Sequence, residues 1–275
     1  MNLKLALKRS YSYQTKQGFF KASLILKKPI ESTKMDHLLN NYVGYDLFSK
    51  SLDELPKLPK LVVNTINQYS FCLAEKDKEF KSALLESDVL LPDGVGIVAA
   101  VRLQSGQKIK KISGTNLHVY LLNKLNKEYG SCFYLGSSDK TLKKIKAKLA
   151  VEYPNIRVGY YSPPFKPSFS EADNKRMITE VNQFKPDVLF VGMTAPKQEK
   201  WAVAHHEQLD TKLIGSIGAV FDFYAGTMNR PSNFWVNLGF EWFGRLVNEP
   251  QRMWKRYLYY GPVFIYTLLK YKIKY

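Results

Sequence analysis

The chain has few of the residues that build metal centres and disulfide frameworks. Its two cysteines, Cys72 and Cys132, lie 60 positions apart, with no cysteine or histidine at ligand spacing beside them. Neither a zinc site nor a disulfide framework is therefore predicted. No cluster of carboxylates and histidines indicates a metal, and no cofactor is predicted. We expect two buried thiols in a reducing compartment.

Long apolar runs are also missing. The most apolar stretch, residues 257–269, is 13 residues long and contains Gly261 and Pro262, whereas an α-helix needs about 20 residues to span a bilayer. The N-terminal apolar stretch before Lys8 and Arg9 is too short for the core of a signal peptide. The sequence therefore predicts neither a membrane span nor secretion.

Negative charge is scarce. Lysine and arginine number 41 against 24 acidic residues, a net charge of +17, which favours an anionic partner such as nucleic acid, an acidic membrane or a phosphorylated substrate. No nucleic-acid recognition motif is present, so nucleic acid is not predicted. No acidic residue follows Glu249, and basic residues alternate there with aromatic rings, a pattern typical of a segment at lipid headgroups. The predicted membrane-docking residues are Arg252, Trp254, Lys255 and Arg256.

The middle of the sequence alternates short β-branched or aromatic runs with longer amphipathic stretches. This alternation predicts an α/β fold, a Rossmann-like, mostly parallel sheet flanked by helices. We predict strands at 60–66, 88–94, 132–138, 157–164, 187–193 and 212–220, and helices at 68–85, 95–103, 115–127, 140–152, 171–184 and 197–208. Asp139 is predicted to cap the fourth of these helices.

Composition divides the chain into three predicted regions. Residues 1–58 form a lysine-rich segment whose pattern predicts no definite fold, and residues 59–231 form the α/β catalytic domain. Residues 232–275 are rich in tryptophan, tyrosine and basic residues, which predicts a C-terminal helical appendage that docks on a membrane.

Asp93 is the best catalytic candidate. It ends the predicted strand DVLLPDG and is followed by two glycines and an apolar helix start. Ligands of open α/β sheets bind at the carboxyl ends of strands, so this carboxylate is expected to face a crevice. A helix cap or an Asp-Gly turn explains the same residue equally well.

The segment 94–99 also matches the dinucleotide fingerprint G-x-G-x-x-A between a strand and a helix. Such a site usually has an acidic residue about 20 positions further on, yet neither Asp nor Glu occurs between Asp93 and Glu128. A Rossmann-type dinucleotide-binding oxidoreductase is therefore the alternative function. The sequence has the glycine fingerprint of such an enzyme but lacks the acidic residue expected after it.

Polar residues also mark the ends of three other predicted strands. They are Thr65 and Asn67 at the first, Ser137 and Ser138 at the third, and the run 194–199, which includes Lys197 and Gln198, after the fifth. Each group alone is explained by a turn or a helix cap. If they converge on one sheet edge, helix N-terminal amides and a lysine are available there to bind a diphosphate.

Several linked segments together resemble the WecG/TagA/CpsF family, glycosyltransferase family 26. In order along the chain they are NQYSFCLAEKDKEFKSALLESDVLLPDGVGIV, KISGTNL, FYLGSS, PDVLFVGMTAPKQEKW, IGAVFDFYAGTMNRP and GFEWFGRLVNEPQRMWKRY. The resemblance implies an inverting transferase that moves a hexose from a UDP-sugar to an undecaprenyl-diphosphate-linked saccharide in bacterial cell-surface polysaccharide synthesis. The hexose is N-acetylmannosamine, its uronic acid or glucose.

The resemblance also implies roles for individual residues. Asp93 matches the aspartate proposed as general base, Thr65 and Asn67 the polar strand end beside it, and Gln198 the P-K-Q-E signature. The remaining residues predicted to bind substrate are Lys111, Asn116, Ser137, Lys197, Tyr224, Arg230 and Arg245. Lys111 and Asn116 replace the family's usual Arg and Asp, which leaves the donor sugar open.

The expected partners are a UDP-sugar donor, a lipid-linked saccharide acceptor and an anionic membrane surface. The expected location is cytoplasmic and peripheral, on the inner face of the cell membrane. A homo-oligomer stays open.

Overall fold

A six-stranded sheet organises the chain in this computed structural model, which describes residues 39–42, 44–228, 241–248 and 250–274. A hairpin of β1 (Leu39–Tyr42) and β2 (Tyr45–Phe48) precedes it. The sheet strands are β3 (Leu61–Ile66), β4 (Val89–Pro92), β5 (Ser131–Gly136), β6 (Arg157–Tyr161), β7 (Val188–Gly192) and β8 (Leu213–Ser216). They lie in the order β4-β3-β8-β7-β5-β6, and every neighbouring pair is parallel.

Helices connect these strands and continue after them. They are α1 (Gln68–Ala74), α2 (Lys78–Leu85), α3 (Val95–Ser105), α4 (Gly114–Glu128), α5 (Asp139–Glu152), α6 (Glu171–Phe184), α7 (Lys197–His205) and α8 (Val220–Tyr224). The C-terminal part has α9 (Glu241–Asn248), α10 (Pro250–Trp254), a π-helical turn (Lys255–Tyr259) and α11 (Tyr260–Lys274). Short 3₁₀ turns lie at Leu52–Glu54 and His206–Gln208.

The predicted α/β fold with its six parallel strands is confirmed, and two local predictions are wrong. The helix expected at 68–85 is divided because Asp77, in an extended conformation, accepts a hydrogen bond from the Phe80 amide and starts a second helix. Asp139 does not cap α5. Ser138 does so, because its hydroxyl accepts from the Thr141 amide, and Asp139 is the first helical residue.

Apolar side chains fill both faces of the sheet. On one face, strand residues such as Val63 and Phe190 pack against α4, α5 and α8. On the other, residues such as Val62 and Val191 pack against α6 and α7. Burial on both faces explains why these strands are nearly continuous apolar runs.

The C-terminal helix shares a core with α1. Phe264 and Tyr260 are buried, and their rings lie edge-to-face with Phe71 and Tyr69, at centroid distances of 5.3 and 5.0 Å. Leu47 of β2 is buried in the same cluster. The division into regions at residues 58 and 231 stays a prediction, but described parts of both flanking regions contribute to this core.

The described helices include none with the length and apolar character needed to cross a bilayer. Large apolar side chains are nevertheless exposed along the C-terminal helices. They are Phe243, Val247, Trp254, Leu258, Tyr259, Ile265, Tyr266 and Leu269.

Candidate active site

A cleft of about 880 Å³ opens at the carboxyl ends of all six strands of the sheet. Its wall includes the residue at or just after the end of each: Thr65 of β3, Asp93 after β4, Ser137 after β5, Ser162 after β6, Met193 after β7 and Ile217 after β8. An open parallel sheet binds its ligands at this edge. The predicted site residues that line the cleft are Thr65, Asn67, Asp93, Lys111, Ser137, Lys197 and Gln198.

Four helices of nine or more residues, α3, α4, α5 and α7, begin at the cleft. Ser113 and Ser138 cap α4 and α5 through their hydroxyl groups, whereas Gly94 and Pro196 start α3 and α7 without a side-chain cap. Amides in the first turn of a helix, together with the helix dipole, attract anions. The cleft is therefore suited to a negatively charged ligand.

The glycine fingerprint has a packing explanation. Gly94 has φ of +121°, a backbone conformation that L side chains rarely adopt, and a Cβ there would lie 2.8 Å from Gln68 Oε1. A Cβ on Gly96 would lie 2.9 Å from Gln68 Cδ. Both glycines thus make room for the first residue of α1, which accounts for the G-x-G spacing without a dinucleotide.

Asp93 lies at the junction of β4 and α3. Its backbone N–H donates to the Ile66 carbonyl at 2.8 Å, which ties the end of β4 to that of β3. Its side chain is half-buried and lines the cleft beside Thr65. Asn67, on the same side, also has a structural role, since its Oδ1 accepts from the Tyr69 and Ser70 amides and caps α1.

The P-K-Q-E segment contributes a cation and an amide. Lys197 Nζ donates to the Lys166 carbonyl at 2.8 Å and lies 4.5 Å from the ring centroid of Phe169, and burial lowers its pKa. Gln198 is buried within the cleft wall, and its Oε1 accepts from the Met193 amide at 3.2 Å. The segment therefore has a fixed geometry at the start of α7.

Two predicted substrate-binding residues with described side chains, Asn116 and Tyr224, do not line the cleft. Asn116 is exposed, and its Oδ1 accepts from the backbone N–H and hydroxyl of Ser113. Tyr224 donates its hydroxyl to Glu152 Oε2 at 2.7 Å. Arg230 lies outside the described residues, and Arg245 lies in α9, where only its backbone is described.

One predicted membrane-docking residue lines the cleft. Arg256, in the π-helical turn, lines the cleft, with its Cζ 4.7 Å from the ring centroid of Tyr69. π-Helical turns often occur at functional sites because they change the direction of side chains. Trp254 and Lys255 are exposed, and Arg252 lies in α10 with only its backbone described.

Sequence reasoning missed several residues of the cleft wall. They include Gln68, Phe169, Asp222 and Tyr257, whereas Thr194 and Glu199 belong to the polar run noted after the fifth predicted strand. Asp222 lies inside the quoted motif IGAVFDFYAGTMNRP, where an acidic residue among apolar ones was the available signal. The described residues contain no group of three His, Cys, Asp or Glu side chains that could hold a metal ion.

Comparison with known proteins agrees with this geometry. The model of the glycosyl transferase WecG/TagA/CpsF family matches residues 29–275. This chain belongs to that family. The resemblance inferred from the motifs is therefore confirmed, and the chain is a glycosyltransferase of the WecG/TagA/CpsF family.

Two curated relatives have the name N-acetylglucosaminyldiphosphoundecaprenol N-acetyl-beta-D-mannosaminyltransferase. The protein of Bacillus subtilis (strain 168) is 31% identical over 210 residues, 76% of this chain and 79% of the relative. The protein of Staphylococcus aureus (strain MRSA252) is 26% identical over 216 residues, 78% of this chain and 82% of the relative. Both relatives are thus similar to this chain over about three quarters of its length.

Proposed function

We propose that the protein is an inverting hexosyltransferase that moves a sugar from a UDP-sugar to an undecaprenyl-diphosphate-linked saccharide. One observation carries the proposal: the Asp93 carboxylate and the N-termini of α3, α4, α5 and α7 lie in the same cleft. The first supplies a base, and the second supplies a site for an anionic diphosphate. Both are needed for transfer from a nucleotide sugar.

The names of the relatives support one choice among the candidate substrates. Both relatives are called N-acetylmannosaminyltransferases that act on N-acetylglucosaminyldiphosphoundecaprenol. We therefore favour UDP-N-acetylmannosamine as the donor over the uronic acid and glucose derivatives. The favoured acceptor is N-acetylglucosamine on undecaprenyl diphosphate.

The proposed mechanism is a single displacement. Asp93 removes the proton of the acceptor hydroxyl as that oxygen attacks the anomeric carbon, a contribution of typically 10² to 10⁴-fold to rate. The bond to the UDP oxygen breaks on the opposite side, so the configuration inverts. Helix N-terminal amides, with Lys111, Lys197 and Arg256, stabilise the charge that develops on the departing diphosphate.

Membrane association supplies the acceptor. The exposed aromatic and apolar side chains of α10, α11 and the π-helical turn, with Lys255 and Lys270, suit the headgroup layer of an anionic inner leaflet. Each basic residue near such a surface contributes about 1 kcal/mol of attraction. Docking through this segment presents the cleft, with Arg256 at its edge, to a lipid-linked saccharide.

Direct transfer assays test the substrates. Purified protein is incubated with a polyprenyl diphosphate N-acetylglucosamine acceptor and with UDP-N-acetylmannosamine, UDP-N-acetylglucosamine or UDP-glucose. We expect efficient transfer only from UDP-N-acetylmannosamine, with a β-linked product from an α-linked donor by NMR. A product that retains the donor's configuration, or no transfer from any UDP-sugar by folded protein, contradicts the proposal.

Flotation with vesicles tests the membrane role. The wild-type protein is expected to float with vesicles that contain phosphatidylglycerol, and high salt should weaken this binding. The double variant Lys255→Glu/Lys270→Glu should float less, while its transfer to a short-chain acceptor in detergent stays unchanged. Equal flotation of both proteins on anionic vesicles contradicts docking through this segment.

A further inference from the structure

Three buried side-chain oxygens on the α7 side of the sheet have no hydrogen-bond partner among the described residues. They are Asn64 Oδ1, Ser216 Oγ and Glu199 Oε2. All three residues are almost fully buried, with exposures of 0%, 0% and 2%. A buried polar atom without a partner costs about 1–3 kcal/mol, so three in one layer require an explanation.

The strand register places two of these residues side by side. β3 and β8 are parallel, with Val62 opposite Ile214 and Val63 opposite Gly215, so Asn64 follows opposite Ser216. Side chains alternate along a strand, and Val62 and Ile214 pack in the cluster that contains α7. Asn64 and Ser216 therefore point to that same face.

Glu199 points toward this layer from the helix. It lies three residues before Ala202, which is fully buried in the cluster between α7 and the sheet, and residues three apart share a helix face. α7 packs on β3, β7 and β8. The space between α7 and the sheet thus contains a carboxyl group, an amide oxygen and a hydroxyl group.

Counting protons favours a neutral carboxyl group. Asn64 Oδ1 and an ionised Glu199 Oε2 are both acceptors, and no donor among the described residues bonds to either of them. A proton on Oε2 turns one acceptor into a donor. It also avoids an unpaired buried charge, which is far more costly than a buried neutral group.

Glu199 also fixes the amide next to it. Gln198 Nε2 donates to Glu199 Oε1 at 2.8 Å, and Gln198 Oε1 accepts from the Met193 amide. The amide is held at both ends, because the Met193 N–H requires an oxygen opposite it and Glu199 Oε1 requires a donor. The second N–H of Gln198 then has one orientation relative to the cleft that the residue lines.

We propose that Glu199 is a positioning residue, a neutral carboxylic acid that donates from Oε2 into the Asn64 and Ser216 layer and fixes the Gln198 amide through Oε1. The fixed amide presents its second N–H to the donor's diphosphate or sugar. This last step rests on the proposed function. The protonation state itself does not, since it concerns the folded protein alone.

The charges around Glu199 agree with this state. Burial raises the pKa of Glu199 to about 7, with opposing smaller effects from Gln198 and the backbone. β3, β7 and β8 carry no charged residue. Besides Glu199, α2 and α7 carry Lys78, Glu79, Lys81, Lys197, Lys200 and His205, and Lys200 is paired with Glu79 and with Asp77 at the start of α2. The other charged residues that line the cleft are Asp93, Lys111, Asp139, Asp222 and Arg256.

Two substitutions separate a neutral acid from an ionised one. Glu199→Gln keeps the shape, an acceptor for Gln198 and a donor toward Asn64, so its kcat/KM at pH 6 should stay within about threefold of wild type. Glu199→Ala should lower kcat/KM about tenfold, as expected for the loss of one hydrogen bond to a positioned group. In a Gln198→Ala background, the second substitution should add no further loss.

Stability against pH provides a readout that needs no substrate. A carboxyl group whose folded pKa is raised stabilises the protein fully below its unfolded pKa of about 4.5, and this stability is lost as pH rises through about 7. The difference in unfolding free energy between wild type and Glu199→Gln, from urea titrations, should therefore change over this range and become flat above it. Infrared difference spectra should show a protonated carboxyl band at pH 6 in wild type and none in the variant.

Different results contradict the neutral state of Glu199 and the proposed function. A 10²-fold loss in folded Glu199→Gln identifies an ionised, reactive carboxylate and overturns the proposal, as does a pH-independent stability difference or the absence of the band. Failure of every UDP-sugar assay, with the stability and infrared results as expected, contradicts the proposed function but leaves the neutral Glu199 in place.

Discussion

The two ends of the sheet use aspartate in opposite ways. At the amino ends, Asp88 precedes β4 and accepts from the Val62 amide at 2.8 Å. Asp187 precedes β7 and accepts from the Ser131 amide and hydroxyl and from Lys212 Nζ, at 2.9, 2.8 and 2.8 Å. At the carboxyl ends, Asp93 follows β4 and lines the cleft.

The difference follows from strand direction. In a right-handed βαβ unit the helices end near the amino ends of the strands and begin near the carboxyl ends, so the local helix dipoles have opposite signs. Aspartates at the amino ends need their own donors, and each found here joins two neighbouring strands. An aspartate at the carboxyl end lies where a ligand binds. The role of an aspartate in this sheet therefore depends on the end of the strand at which it lies, and not on the residue type alone.

Removing the negative charge of Asp93, at the carboxyl end of the sheet, has the largest expected effect on activity. Asp93→Asn should lower the transfer rate by about 10²-fold or more, because the acceptor hydroxyl loses its base. UDP binding by calorimetry should persist, since a carboxylate adds little to the binding of an anion. Near wild-type turnover in a folded variant makes Asp93 a turn residue.

Asp187→Asn is the matched control. Its rate per folded molecule should equal that of wild type, because Asp187 lies at the end of the sheet away from the cleft. A large loss of turnover in this variant removes the functional distinction between the two ends.

A second matched pair tests which cations belong to the cleft end. Arg256 lines the cleft and Lys255 is exposed beside it. Arg256→Gln should lower kcat/KM about tenfold in detergent, as for the loss of one hydrogen bond to a charged group, while Lys255→Gln should leave it unchanged. Equal effects of both substitutions indicate that Arg256 acts only through general charge.

The amino end should instead respond in stability. Burial alone raises the pKa of Asp187, but Lys212 and the two Ser131 donors lower it below the usual 3.8. Asp187→Asn should cost about 1 kcal/mol at pH 7, allowing for solvent screening of a side chain that is 33% exposed. A lowered pKa stabilises above the unfolded value, so this difference should shrink as pH falls below about 4 in urea titrations. A difference that does not depend on pH contradicts the assignment.

The smallest expected effect concerns metal ions. A cleft that neutralises the diphosphate with lysines, Arg256 and helix amides does not require Mg²⁺ or Mn²⁺. Transfer should therefore continue in EDTA within about twofold of the untreated rate. Complete loss with EDTA and recovery with Mn²⁺ requires a metal ligand set that this cleft chemistry does not include.

The fold and the location of the candidate site were predicted mainly from the spacing of apolar residues and from the polar residues at strand ends. The six strands and the position of Asp93 follow from short apolar runs and from the rule that ligands bind at carboxyl ends. The cap of α5 did not follow, because Ser138 and Asp139 are both good capping residues and only the backbone conformation distinguishes them.

Side-chain direction was harder to predict than position. Tyr224 and Asp222 lie in the same motif, but residues two apart do not share a helix face, and of the two only Asp222 lines the cleft. Lys255 and Arg256 are adjacent in a stretch rich in basic and aromatic residues, and the composition of this stretch predicted that both contact the membrane. Which of them faces the cleft depends on how α11 packs on α1, a long-range contact that no local pattern encodes.

The central place of β8 has a consequence for how the protein is made. β3 and β4 lie on one side of it and β7, β5 and β6 on the other, although β8 is the last of the six strands in the chain. Up to about residue 212, a growing chain has both Asp93 and Lys197, which line the cleft from the two parts of the sheet, but no strand yet joins β3 to β7. Since chains fold as they emerge during synthesis, the opposing walls of the cleft acquire their spacing only when Leu213–Ser216 inserts between them.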